Sequence, residues 1–104
     1  MTKVRARSNK PWFDTFRLAL RGMKPNAQTV GLWLAEQADE NGIVEAVDWG
    51  RLMADTSLSE NTCRKELREG GELIDSGRVM RSVRQVGNVF LPTVYHLNTT
   101  PDEA

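Results

Sequence analysis

The stretch Asp48–Asp75, DWGRLMADTSLSENTCRKELREGGELID, decides the fold of this chain. Asp48 offers a side-chain acceptor ahead of Trp49–Thr56, as a helix N-cap does, and Leu52 and Met53 make the inner side of that run. The helix is expected to end at Thr56, with Ser57-Leu58 as the turn and Ser59 as the cap of a second helix. Cys63, Leu67, Gly70 and Ile74 then fall at i, i+4, i+7 and i+11, which is one helical face. The reading is one helix to about Asp75. Two adjacent glycines in a helix interior cost roughly 2 kcal/mol relative to alanines, so a kink or stop at Gly70-Gly71 is the alternative. Gly70 on the inner face would let a neighbouring helix approach closely.

The outer face of the second helix carries Ser59, Asn61, Thr62, Arg64, Lys65 and Arg68. Two helices joined by a short turn, the second presenting polar and basic side chains, offer a helix to the major groove of double-stranded DNA. Asn pairs with adenine there, and Lys or Arg with guanine. Arg64 and Arg68 stand i, i+4 on an adjoining face and point to phosphates. The plain alternative is a solvated face with Lys65–Glu69 and Arg68–Glu72 ion pairs, worth a few tenths of a kcal/mol each. Glu60 either favours the positive end of the helix dipole or accepts from cytosine.

Upstream, residues 26–40 read as a helix with Asn26 as N-cap. Ala27, Val30, Gly31, Leu34 and Ala38 form its inward stripe, with Trp33 on the edge. Asn41-Gly42 ends it, and Ile43-Val44 is a minor strand that needs a later hairpin to pair with. From Pro11, Trp12, Phe13, Phe16 and Leu20 share one face of an earlier helix that stops at Gly22 and Pro25. That aromatic face packs either on the domain core or against a second copy, making these four residues a candidate homodimer surface. Residues 1–10 lack periodicity and read as a flexible basic arm, with Arg5, Arg7 and Lys10 free to lie along phosphates or enter a minor groove.

Downstream, Arg78–Arg84 and Val89–Leu97 read as two strands of a hairpin around Gln85-Val86-Gly87-Asn88. Leu91, Thr93, Tyr95 and Leu97 share one parity, and Pro92 requires an edge or a bulge. Arg78, Arg81, Arg84, Gln85 and Asn88 make the hairpin a basic probe beside a groove. Residues 99–104 read as a disordered tail, leaving 11–98 as the folded domain.

The chain has 104 residues and zero formal net charge, yet its charges are segregated. Residues 1–25 carry +6, residues 26–60 carry −6 and residues 61–86 carry +2. Such asymmetry suits a polyanion-facing side and a solvated side. Cys63 is the single cysteine and fits a small core residue. No Cys/His spacing suggests a metal, and no nucleophile, paired carboxylates or phosphate-cradling loop suggests an enzyme, so no cofactor or small-molecule ligand is expected. No apolar run approaches a membrane span and no secretory signal is seen, so a cytoplasmic location is expected.

The order helix, short strand, helix, turn, helix, hairpin carries a resemblance. The segment NAQTVGLWLAEQADENGIVEAVDWGRLMADTSLSENTCRKELRE resembles the helix-turn-helix proteins of plasmid replication initiators, phages and other bacterial mobile elements. Ala27–Ala38 has the form AxxVxLxLAxxA, Asn41-Gly42 gives the N-G turn, Thr56–Ser59 reads T-x-L-S, and Thr93–Asn98, TVYHLN, looks like the last wing strand. The resemblance spans about residues 25–98. Glu60-Asn61 stand where that group has basic residues, Glu66 replaces a small one, and Gly70-Gly71 interrupts the end of the second helix. It implies a mainly α fold with a small β-hairpin (α+β), a winged helix-turn-helix, and sequence-specific binding of double-stranded DNA by a transcriptional regulator or a replication or maintenance protein. A protein-interaction module, using the acidic face and the aromatic first helix, is the other expectation.

Overall fold

The computed structural model describes residues 10–100, as a mixed α+β unit. Among the described residues there are five helices: α1 (Phe13–Ala19), α2 (Pro25–Gln37), α3 (Trp49–Thr56), α4 (Glu60–Glu66) and α5 (Glu72–Asp75). The strands β1 (Ile43–Val44), β2 (Val79–Val86) and β3 (Val89–Leu97) form one antiparallel sheet in the order β1-β3-β2.

α2 is the axis of the core. Ala27, Val30 and Leu34 are fully buried on it, as the apolar spacing requires. Leu52 of α3, Cys63 of α4 and Leu73 of α5 join the same cluster. Pro25 begins α2 as well as following α1, since its fixed φ and missing N–H suit a first helical turn. Lys24, not Asn26, is therefore the N-cap, and its backbone N–H donates to Glu72 Oε1 at 2.9 Å. Trp33 is buried rather than at the edge of the stripe. Its indole N–H donates to Asp55 Oδ2 at 2.9 Å, which ties α2 to α3 and satisfies the one polar atom of the ring.

The aromatic face of α1 is spent inside the protomer. Phe13, Phe16 and Leu20 are buried in the core, and Trp12 is half-buried with its Nε1 donating to Glu40 O at 2.7 Å. These residues are thus not the dimer surface the sequence allowed. A domain this small uses its large apolar side chains internally.

The long helix expected through Asp75 does not form. α4 ends at Glu66, and Gly70 takes φ +95°, a left-handed conformation that a helix interior excludes. The chain then folds back so tightly that a Cβ on Gly71 would meet the carbonyl oxygens of Lys65 and Glu66. The short α5 follows and delivers Leu73 to the core. Close approach is a property of Gly71, whereas Gly70 is exposed with open space around it.

Ile43 and Val44 pair with His96 and Tyr95, so the minor strand finds its partner in β3. Between β2 and β3 the register shifts after Ser82↔Val94, resuming at Arg84↔Leu91. Pro92 and Thr93 therefore stand together opposite Val83, a bulge that removes the ladder bond proline cannot make. The bulge also separates Leu91 from the Thr93–Tyr95–Leu97 parity, and Leu91 pairs with Arg84 instead. Beyond the bulge the hairpin projects from the core, with Val83, Val86, Val89 and Phe90 exposed. Asn98 and Thr100 are held by Arg78, whose Nη1 donates to both carbonyls at 3.2 and 3.1 Å. Of the tail expected from residue 99, Thr99 and Thr100 are described, and 101–104 lie outside the described residues.

Candidate functional site

The turn between α3 and α4 is fixed by its own hydrogen bonds. Ser57 takes φ 61°, and its N–H donates to Met53 O at 2.8 Å, closing α3. Thr56 Oγ1 donates to Leu52 O and accepts from Leu58 N. Ser59 Oγ accepts from Thr62 N at 3.2 Å, which starts α4. With Cys63 turned into the core, Asn61, Arg64 and Lys65 are left on the outside.

These outward residues are not equivalent. Ser59 and Thr62 are tied to each other, their hydroxyls 3.0 Å apart. Arg64 Nε lies 2.8 Å from Glu60 Oε2, and the guanidinium sits 4.3 Å from the centroid of the Trp49 ring. The ion pair is half-exposed and contributes little stability, but it and the ring fix where Arg64 points. Asn61, Lys65 and Arg68 make no side-chain hydrogen bond or ion pair among the described residues. The expected pair Arg68–Glu72 is replaced by the Glu72 contact to Lys24, and the pair Lys65–Glu69 does not form.

A half-open cleft of about 490 Å³ lies between the end of α4 and the sheet. Arg64 and Arg68 line it from the α4 side, Arg81, Thr93 and Tyr95 from the sheet, and Trp49 from the start of α3. Val47, Leu67 and Pro92 supply its apolar parts, and no acidic residue lines it. Burial pushes the Tyr95 phenol above its usual range, while the nearby Arg81 and Arg64 charges pull the other way. The phenol is therefore protonated at neutral pH and is a hydrogen-bond donor.

The other basic residues expected on the hairpin divide. Arg78 serves the C-terminal segment, Arg84 Nη2 lies 3.4 Å from Pro92 O, and Gln85 Nε2 donates to Gly87 O at 2.8 Å. Asn88 is exposed in the turn, and Arg81 alone joins Arg64 and Arg68. Lys10 is not a free arm residue. Its ammonium donates to Ala35 O and Glu36 O, the last carbonyls of α2, as a cation at a helix C-terminus does. Burial lowers its pKa, opposed by the charges of Glu36 and Asp39. Arg5 and Arg7 lie outside the described residues.

Sequence reasoning missed Trp49, Thr93 and Tyr95. Trp49 follows the capping Asp48 and belongs to no apolar stripe, which was its only signal. Among the described residues no cluster of His, Cys, Asp and Glu could hold a metal ion, and no helix is long and apolar enough to cross a membrane. Comparisons with family models, with curated proteins and with solved structures return no match to this chain.

Proposed function

We propose that the chain is a winged helix-turn-helix protein that binds double-stranded DNA, as a phage- or plasmid-type transcriptional regulator or replication or maintenance protein. The element order supports the winged-helix reading: a short strand between α2 and α3 pairs with the return strand of the hairpin, on the side away from β2. The observation that carries the DNA reading is the face of α4. Asn61 and Lys65 stand one turn apart on it, exposed and without partners among the described residues, and Arg68 follows. Arg81, from β2, lines one cleft with Arg68. In this reading Asn61 and Lys65 meet base edges, and Arg68 and Arg81 meet phosphates. A seven-residue helix spans only about 10 Å, so few bases are read directly. Affinity then depends on backbone contacts beside the helix.

Fluorescence anisotropy with labelled duplex tests this. The Asn61→Ala/Lys65→Ala variant is expected to lose on the order of 100-fold in affinity for a selected site while melting at the wild-type temperature. Unchanged affinity in that variant overturns the reading. The exposed Val83, Val86, Val89 and Phe90 favour a second reading, a protein-interaction module that uses the hairpin. It predicts no salt-dependent duplex binding at all.

A further inference from the structure

We propose that the cleft between α4 and the sheet binds a small phosphate monoester with a flat apolar body, of which a mononucleotide is the chemical type. Charge is the first argument. Arg64, Arg68 and Arg81 line the cleft, and the one carboxylate paired with them, Glu60, partly offsets Arg64. Roughly two positive charges remain, matching the charge of about −1.5 to −2 on a phosphate monoester at neutral pH. A backbone phosphodiester carries a single negative charge, so the cleft is over-charged for one DNA phosphate.

Donors are the second argument. The Arg68 and Arg81 guanidinium groups have no hydrogen bond or ion pair among the described residues, and neither have the Thr93 and Tyr95 hydroxyls. Guanidinium forks pair bidentately with phosphate oxygens, and the neutral Tyr95 phenol adds a donor at the buried wall. Arg64 is already held against the Trp49 ring, so its own ordering cost on binding is small. Size is the third. A volume of about 490 Å³ far exceeds a bare phosphate and falls within the range of small-molecule sites. Val47, Leu67 and Pro92 give the remainder of the ligand an apolar surface.

The inference does not need the duplex reading, although the two would share Arg68 and Arg81. Titration of the full chain with adenosine 5′-monophosphate, followed by calorimetry and tryptophan fluorescence at low salt, tests it. One molecule is expected to bind per chain and to change the emission of Trp49, a response lost in Trp49→Phe. Adenosine without the phosphate is expected not to bind. Arg81→Gln and Arg68→Gln, both at exposed positions, are each expected to weaken binding about tenfold or more while leaving the melting temperature unchanged. Absence of saturable binding up to millimolar ligand overturns the proposal, as does equal binding in the Arg68→Gln/Arg81→Gln variant. A dinucleoside phosphodiester that binds the cleft as tightly as the monophosphate makes it a seat for nucleic-acid backbone, and also overturns it.

Discussion

A Cβ on Gly71 would lie 2.7 Å from Glu66 O and closer still to Lys65 O. Both obstacles are backbone, so no side-chain rotation relieves them. Gly71→Ala is therefore expected to cost about 2–3 kcal/mol in urea denaturation, the upper part of the usual overpacking range. Gly70→Ala meets no atom and bears only its left-handed backbone, about 1–2 kcal/mol. Equal costs at the two positions would show that the back-folding after α4 is not what requires Gly71. The spacing of Cys63, Leu67, Gly70 and Ile74 could not reveal this, because a glycine required by φ and one required by contact look alike in sequence. Cys63 was legible, being small, apolar and on the stripe, and it is fully buried. Burial raises its thiol above the ordinary 9.0, with a weaker opposing effect from the Thr56 hydrogen bond. The native state then keeps a proton that the unfolded chain releases, so stability falls as pH rises through 9.0. The urea midpoint is expected to decline between about pH 8 and pH 10, and Cys63→Ala to flatten that decline.

At the level of elements, capping and core packing set the geometry of α4. Ser59 holds its first turn, and replacing the hydroxyl in Ser59→Ala is expected to cost about 1 kcal/mol. Leu73 anchors the far side of the reversal and is fully buried, so Leu73→Ala is expected to cost about 2–5 kcal/mol. That is a large share of the 5–15 kcal/mol typical of a whole domain, and thermal unfolding reads it directly. The hairpin behaves differently. Phe90 is 68% exposed beyond the bulge at Pro92-Thr93, so Phe90→Ser is expected to change stability by less than about 0.5 kcal/mol. A larger loss would mean that the hairpin packs on something in solution. α2 was legible from its period, and α3 and the start of α4 because period agrees with the caps Asp48 and Ser59. The bulge was legible only as the condition Pro92 imposes. Its effect on Leu91 was not, since one extra residue reverses every later side chain.

Across the whole molecule, zero net charge means that no overall field draws the chain to a polyanion. Any attraction has to come from how the charges are placed. The cleft shows why that placement was hidden: it draws on Val47 and Trp49, on Arg64 and Arg68, on Arg81 and on Tyr95, four separate stretches that no local period connects. If duplex binding uses Arg68 and Arg81 alone on phosphates, the slope of log K against log salt is about −1.8. Adding Arg5 and Arg7, as the basic N-terminal residues lead one to expect, brings it to about −3.6. The wild-type chain is expected to show the steeper value. Arg5→Gln/Arg7→Gln is then expected to return it to about −1.8 without altering preference among duplex sequences, because phosphate contacts carry no base information. Asn61→Ala should do the reverse, weakening the preferred site while leaving the slope alone. A slope near zero with binding retained would exclude phosphate contact by any of these cations, and would leave the hairpin apolar residues as the surface that binds.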